Sequence, residues 1–260
     1  MVIDRFGGED ENYILYLLEI HKRMSNSDLC RALNLSTSTV RKKLAKMEEE
    51  GLLIRTYGGA ASLDADRDET IGRKSQMNIQ QKRMIAAAAS RFVRDGETIS
   101  LGGGSTVAEL CTYFLHLKKA IILTDSTVIA NLLTKNKGLE VHINGGIVRE
   151  RTGCVVGPSS DQLFQRYYTD KAFLGCDSFS GQKGIGSDNI LVGRVEQTMF
   201  QYAKERYILC DSTKLGQDAL FSYAKCSEVT ALITDHDANP EHVAALRERG
   251  LTVIVAPAVR

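Results

Sequence analysis

No run of apolar residues in this sequence comes near the roughly 18–20 needed to cross a bilayer as a helix, so no membrane partner is expected. None of the six cysteines (Cys30, Cys111, Cys154, Cys176, Cys210 and Cys226) belongs to a CxxC pair. Several sit inside apolar runs, which points to reduced, buried thiols and a cytoplasmic protein. The five histidines, His21, His116, His142, His236 and His242, show no metal-ligand spacing, so neither a metal nor a cofactor is expected. The first residues, MVIDRFGGEDENYILYLL, place acids before the apolar stretch and no small-residue cleavage site after it, unlike a signal peptide. Net charge is also missing, at +1. A partner of either sign must therefore be sought in how the charges are distributed.

What is present is an ordinary globular composition, 43% hydrophobic and 25% charged. A length of 260 residues suits one small domain followed by a medium one. The first sixty residues read as a helical module. Asn12 to Ile20 is apolar on most faces and predicts a first helix. Ser25 or Ser27 can cap a second, with Leu29, Ala32 and Leu33 inward. Ser36 caps a third, on which Val40, Leu44 and Met47 recur at i, i+4 and i+7.

The other faces of that third helix are polar and positive. Ser36, Thr37, Ser38, Thr39, Arg41, Lys42 and Lys43 crowd its N-terminal half, Lys46 follows, and the acids wait until Glu48, Glu49 and Glu50. A helix entering the major groove of double-stranded DNA needs such a face: basic side chains reach guanine edges or phosphates, and hydroxyls reach either. Gly51 closes the helix. Leu52 to Ala60 then reads as a strand, a Gly58-Gly59 turn and a return strand. That is a wing, from which Arg55 and Tyr57 can meet the backbone beside the helix. The bland alternative, a solvated basic helix, accounts for the charge run but not for the wing that follows it.

Residues 62–78 are polar and lack an apolar period, and read as a linker between a winged helix-turn-helix domain (1–61) and a second domain (79–260). In the second domain apolar strand-like runs near 97–101, 120–124, 140–144, 171–175, 206–210, 229–234 and 251–256 alternate with helical stretches. This predicts an α/β domain with a mostly parallel sheet covered by helices. Ligands of such sheets sit at the carboxyl ends of the strands. Gly103, Gly104, Ser105 and Thr106 lie between a strand and a helix, where backbone N–H groups, two hydroxyls and the helix dipole suit a phosphate. Asp125, Ser126, Gly145, Gly146, Asp177 and Lys214 lie at other strand ends and complete one candidate pocket. Each also has a plainer role open to it, as a turn glycine, a helix cap or a surface lysine.

The stretch STSTVRKKLAKMEEEGLLIRTYGGA resembles the N-terminal signature of the DeoR (deoxyribose-operon repressor) family of bacterial regulators. Ser36, Thr39, Val40, Arg41, Lys42, Leu44, Gly51, Arg55, Gly58, Gly59 and Ala60 match it or substitute conservatively, while Lys43 stands where an aspartate is usual. The resemblance extends through the second domain: Gly102 to Thr106 correspond to a family Asp-Ser-Gly-Thr-Thr loop, Thr124-Asp125-Ser126 to Thr-Asn-Ser, and Gly145-Gly146, Phe173-Leu174-Gly175 and Asp211 to Lys214 match closely. Gly102 thus replaces an acid and Asp125 an amide. The resemblance implies a DNA-binding transcriptional regulator, a repressor of a carbohydrate operon. It further implies a ribose-5-phosphate-isomerase-like domain that binds a phosphorylated sugar effector. One winged module grips DNA weakly, so a homo-oligomer, dimer or tetramer, is expected.

The competing reading is a sugar-phosphate isomerase with an accessory DNA-binding module. Isomerisation needs a positioned carboxylate base. The comparable stretch, Gly175 to Ser180, offers one acid, Asp177, and the sequence favours a regulator that is not an enzyme.

Overall fold

The computed structural model describes residues 8–21, 23–56, 58–62, 70–217 and 219–258. The chain divides into two compact units, residues 1–68 and 69–260. The first contains α1 (Glu9–His21), β1 (Arg23–Ser25), α2 (Asn26–Leu33), α3 (Thr37–Glu49), β2 (Ile54–Thr56) and β3 (Gly59–Ala61). Ser25 caps α2 by accepting the Asp28 N–H at 3.1 Å, and Ser36 caps α3 by accepting the Thr39 N–H at 3.2 Å. Between the two helices Asn34 turns the chain in the left-handed region at φ 53°, and Gly51 does the same after α3 at φ 68°. Val40, Leu44 and Met47 close with Ile14, Leu18 and Leu29 into a core from which water is excluded.

The wing is wider than a hairpin. β3 pairs with β2 on one side and with β1 on the other, so the three-stranded antiparallel sheet begins just before α2. The pairing explains Gly59. A Cβ there would stand 1.9 Å from the Met24 carbonyl oxygen, so only glycine lets β3 approach β1. Gly58 meets no such crowding, and Tyr57 lies outside the described residues.

The second unit opens with α4 (Ile71–Gln76) and α5 (Ile79–Ser90), then runs β4 (Thr98–Leu101), α6 (Ser105–Phe114), β5 (Ala120–Thr124), α7 (Thr127–Leu133) and β6 (Leu139–Ile143). A hairpin, β7 (Ile147–Val148) and β8 (Val155–Val156), and α8 (Gln162–Gln165) lead to β9 (Thr169–Leu174). β10 (Ser178–Ser180), β11 (Gly184–Ser187), α9 (Ile190–Gln201), β12 (Ala203–Leu209), β13 (Phe221–Ala224), β14 (Ala231–Thr234), α10 (Pro240–Glu248) and β15 (Val253–Val255) complete it. Thus α4 falls inside the stretch expected to be a linker. Thr70 caps it, and its first N–H donates to the Arg151 carbonyl at 2.7 Å, so residues 70–76 belong to the second unit. A short polar helix anchored by backbone bonds shows no apolar period.

The seven expected strands form one parallel sheet in the order β15-β14-β12-β9-β4-β5-β6. Central strands are covered on both faces, and Ile99, Leu101, Ile122, Phe173, Leu209 and Ile233 are essentially unexposed. Two small antiparallel sheets, β10-β11-β13 and β7-β8, add to this plan. Their strands are two to four residues long, too short for a period-2 pattern.

The strand order fixes where a ligand can enter. From β4 the chain steps outward to β5 and β6, then returns to lay β9 on the other side of β4 and steps outward again. The connections leave β4 and β9 in opposite directions, opening a crevice at their carboxyl ends.

Gly59→Ala is expected to destabilise the first unit by about 2–4 kcal/mol, because the methyl meets backbone rather than a yielding side chain. Hydrogen exchange on the whole chain checks this. Faster exchange at the β1 and β3 amides, with the second unit unaffected, is the expected outcome.

Candidate functional site

On α3 the structure sorts the expected DNA contacts. Thr37, Ser38, Arg41 and Lys42 are exposed, and neither Arg41 nor Lys42 forms an ion pair with a described residue. Ser36 is the helix cap, its hydroxyl 2.9 Å from that of Ser38 and 2.8 Å from that of Thr39, so these three hydroxyls form one cluster at the helix start. Lys43 differs from expectation. Its ammonium donates to Glu11 Oε1 at 2.9 Å and lies 3.2 Å from Asp10 Oδ2, so it clasps α1 to α3 instead of facing a groove. Burial pushes the Glu11 carboxyl up, but Lys43 outweighs it and holds the group below its ordinary value. A lysine in place of the usual aspartate is thereby explained within the domain. Arg55 is half committed: its N–H donates to Glu48 Oε1 at 2.9 Å and its guanidinium lies 3.6 Å from Glu48 Oε2, fastening the wing to the acidic end of α3.

Arg41→Ala is expected to weaken operator binding by about 1–3 kcal/mol if it reads a base edge, and to weaken operator and random DNA alike if it holds a phosphate. Lys43→Ala is expected to cost about 1–2 kcal/mol of folding stability in the first unit. Gel shifts beside thermal melts separate the two behaviours. Equal melting points for Lys43→Ala and wild type would contradict the clasp.

At the β4/β9 crevice the Gly102 N–H donates to the Phe173 carbonyl at 3.1 Å, continuing the strand pairing one residue past β4. The next amide, Gly103, donates to Asp125 Oδ1 at 2.6 Å. A side chain on Gly103 would strike Cys154 Sγ at 2.4 Å, whereas one on Gly104 would meet open space. Gly104 starts α6 without a side-chain cap, and Ser105 and Thr106 are nearly buried with hydroxyls bonded to no described residue. The first turn of α6 therefore presents uncapped N–H groups and two unspent hydroxyls.

Beyond β9, Asp177 lies 3.1 Å from the Lys74 ammonium through Oδ1 and accepts the Asp188 N–H at 3.0 Å through Oδ2. Burial raises its affinity for a proton, but Lys74 and Lys214 outweigh that and keep it ionised. Lys214 donates to the Cys176 carbonyl at 2.7 Å; burial works against its charge, and the Cys176 and Asp177 side chains more than restore it. Asp125 is fully buried, its Oδ2 has no partner among the described residues, and burial pushes its carboxyl up to about 7.

Other expected residues serve the scaffold. Ser126 caps α7, accepting the Ile129 N–H at 3.3 Å. Gly146, at φ 150°, has the Val156 carbonyl 2.4 Å from where its Cβ would be, and Gly145 is exposed beside it, so this pair turns the chain into the β7-β8 hairpin. Sequence reasoning missed Lys74, in the presumed linker, and Glu196 on α9. An acid among the buried Val192, Val195 and Met199 of one helix is the signal that could have found the latter. Asp235, His236 and Asp237 bring ligand-type atoms within 4.8 Å, but the Asp235 carboxylate already accepts the Ser212 and Asp237 N–H groups.

Two family models cover these units. Residues 11–66 match the DeoR-like helix-turn-helix domain, and residues 77–236 match the DeoR C terminal sensor domain. The chain belongs to the DeoR family. It is therefore a DNA-binding transcriptional regulator and not an enzyme. Among its relatives are the HTH-type transcriptional repressor GlcR of Bacillus subtilis, 30% identical over 244 residues and 93% of each chain. The lactose phosphotransferase system repressor of Staphylococcus epidermidis is 32% identical over 224 residues, 84% of this chain and 88% of that one. Among solved structures, ribose 5-phosphate isomerase A of Methanocaldococcus jannaschii aligns with 53% of this chain and 54% of its own at 21% identity and a TM-score of 0.39, a partial likeness. No helix among the described residues is long and apolar enough to cross a membrane.

Because folded Asp125 keeps its proton to about pH 7 while its ordinary value is 3.8, its stabilisation is complete below about 3.8 and lost as pH rises through about 7. The unliganded protein is expected to melt at progressively lower temperature from pH 5 to pH 8. Asp125→Asn, which restores the family's amide, is expected to flatten that slope. Parallel slopes for both proteins would show that Asp125 ionises normally.

Proposed function

We propose that this member of the family represses a carbohydrate-catabolism operon and that a phosphorylated sugar, held in the β4/β9 crevice, controls its grip on the operator. The observation that carries the proposal is the start of α6. Uncapped amides, the nearly buried Ser105 and Thr106 hydroxyls and the open space beside Gly104 lie in consecutive positions at one helix start, while Lys74 and Lys214 both act on Asp177 past the end of β9, the strand beside β4. A phosphate carries close to two negative charges near neutral pH. A nearly dry site must answer it with several donors, and full positive charges strengthen them. GlcR and the lactose system repressor, by their names, act on sugar systems, which supports this assignment of the ligand class.

The isomerase alternative gains nothing from the geometry. Asp177 has both oxygens engaged and stays ionised through its lysines, which makes it a counter-ion rather than a base poised near neutral pH. A cytoplasmic homo-oligomer of two or four copies completes the proposal, since a single winged module offers little contact with DNA at physiological salt.

Ser105→Ala combined with Thr106→Ala is expected to leave folding and operator binding nearly unchanged and to abolish the response to effector. Two hydrogen bonds to a charged group, at about 1.5–3 kcal/mol each, are comparable with the preference a ligand needs to shift a two-state population strongly. Operator affinity titrated against sugar phosphates, for both proteins, is the measurement. Equal sensitivity would place sensing elsewhere.

A further inference from the structure

Glu196 sits on α9 with only 4% of its surface exposed, among apolar neighbours. A carboxyl taken out of water normally finds a hydrogen-bond partner, because leaving it unpaired is costly. Glu196 has none among the described residues. Its carboxyl is aimed at the β4/β9 crevice: Oε1 lies 3.6 Å from where a Cβ on Gly102 would stand. The charged or ionisable groups it feels, Asp125, Asp177, Cys176 and Lys74, all belong to that crevice. A second acceptor is equally unspent, since Asp125 Oδ2 is buried without a partner among the described residues while its Oδ1 accepts the Gly103 N–H. The Glu196 and Asp125 carboxyl groups therefore both flank the Gly102–Gly103 loop that leads into the proposed phosphate grip, and neither suits a phosphate. They suit a group that donates hydrogen bonds.

Resting on the effector reading proposed above, we infer that Glu196 is a specificity-determining residue that takes hydrogen bonds from hydroxyl or amino groups on the carbon chain of the phosphorylated ligand. It does so from the place a side chain at residue 102 would otherwise fill. Gly102 and Glu196 are then one arrangement: the loop gives up its side chain, and the helix behind it supplies the carboxyl. Burial holds the empty Glu196 well above the ordinary carboxylate range, with Asp125 and Asp177 adding to the effect. A ligand hydroxyl can be met by the protonated acid, and a ligand ammonium by the carboxylate it draws out.

The test uses the whole protein and thermal shift, with ribose 5-phosphate, fructose 1-phosphate, glucose 6-phosphate, glucosamine 6-phosphate and inorganic phosphate as probes. Glu196→Gln keeps the shape and removes the acid. Glu196→Met keeps the volume and removes every polar atom. Both are expected to fold, with an unliganded melting temperature at or above that of wild type. Both are expected to keep the shift given by inorganic phosphate. Affinity for whichever sugar phosphate stabilises wild type best is expected to fall at least about tenfold in Glu196→Met. Glucose 6-phosphate against glucosamine 6-phosphate separates the two donors, since preference for the amine should vanish in Glu196→Gln while preference for the hydroxyl should persist. Unchanged sugar-phosphate affinity in both variants overturns the inference and leaves the effector proposal standing, as does an equal loss for inorganic phosphate. A wild-type protein that no sugar phosphate stabilises overturns the effector proposal and this inference with it.

Discussion

Everything in the second unit depends on β4 and β9 lying side by side although the chain travels to the far edge of the sheet and back between them. Parallel strands need crossover connections, and each crossover must lie on one face of the sheet. Where consecutive crossovers leave in opposite directions, the strand ends stand uncovered and backbone groups remain unspent. Gly102 and Gly103 meet that condition directly. One amide extends the pairing to Phe173, and the next is claimed by Asp125.

The charges follow from the same geometry. A crevice walled by packed helices desolvates whatever lines it, and desolvation favours neutral forms. Asp125 and Glu196 respond by holding their protons. Asp177 stays ionised because Lys74 and Lys214 stand beside it. The charges around the crevice are graded accordingly: Lys74, Lys214 and an ionised Asp177 past the end of β9, amides and hydroxyls at the start of α6, and two carboxyls with raised proton affinity, Asp125 and Glu196.

Much of this was legible in the sequence, because the features that carry the fold are repeated ones. Val40, Leu44 and Met47 announce α3 by period, and each of the seven sheet strands is an apolar run between polar turns. What escaped were features with a distant partner. Lys43 reads as one more basic residue until Glu11, 32 positions earlier, is placed against it. Lys74 belongs to a helix held by a backbone bond to Arg151, which leaves no composition signal. Gly145 and Gly146 read as part of the candidate pocket because glycine's permissiveness is the same whether a ligand or the Val156 carbonyl approaches it. The candidate phosphate grip was readable because hydroxyls, glycines and a helix start lie in consecutive positions. The carboxyl of Glu196 was not, because it arrives from another element.

The clasp between Lys43 and α1 also bears on how the first unit holds DNA. A cation spent inside the domain displaces no counterion from a phosphate backbone. Each phosphate contact makes the logarithm of affinity fall by about 0.9 per logarithm of salt concentration. Internalising Lys43 leaves Arg41 and Lys42 as the exposed cations in the N-terminal half of α3. A module that grips phosphates with two cations instead of three draws less of its affinity from released ions, and a larger share rests on contacts that salt does not weaken. A regulator of this kind would keep its discrimination between sequences across a wider range of ionic strength than one whose recognition helix turned all three charges outward.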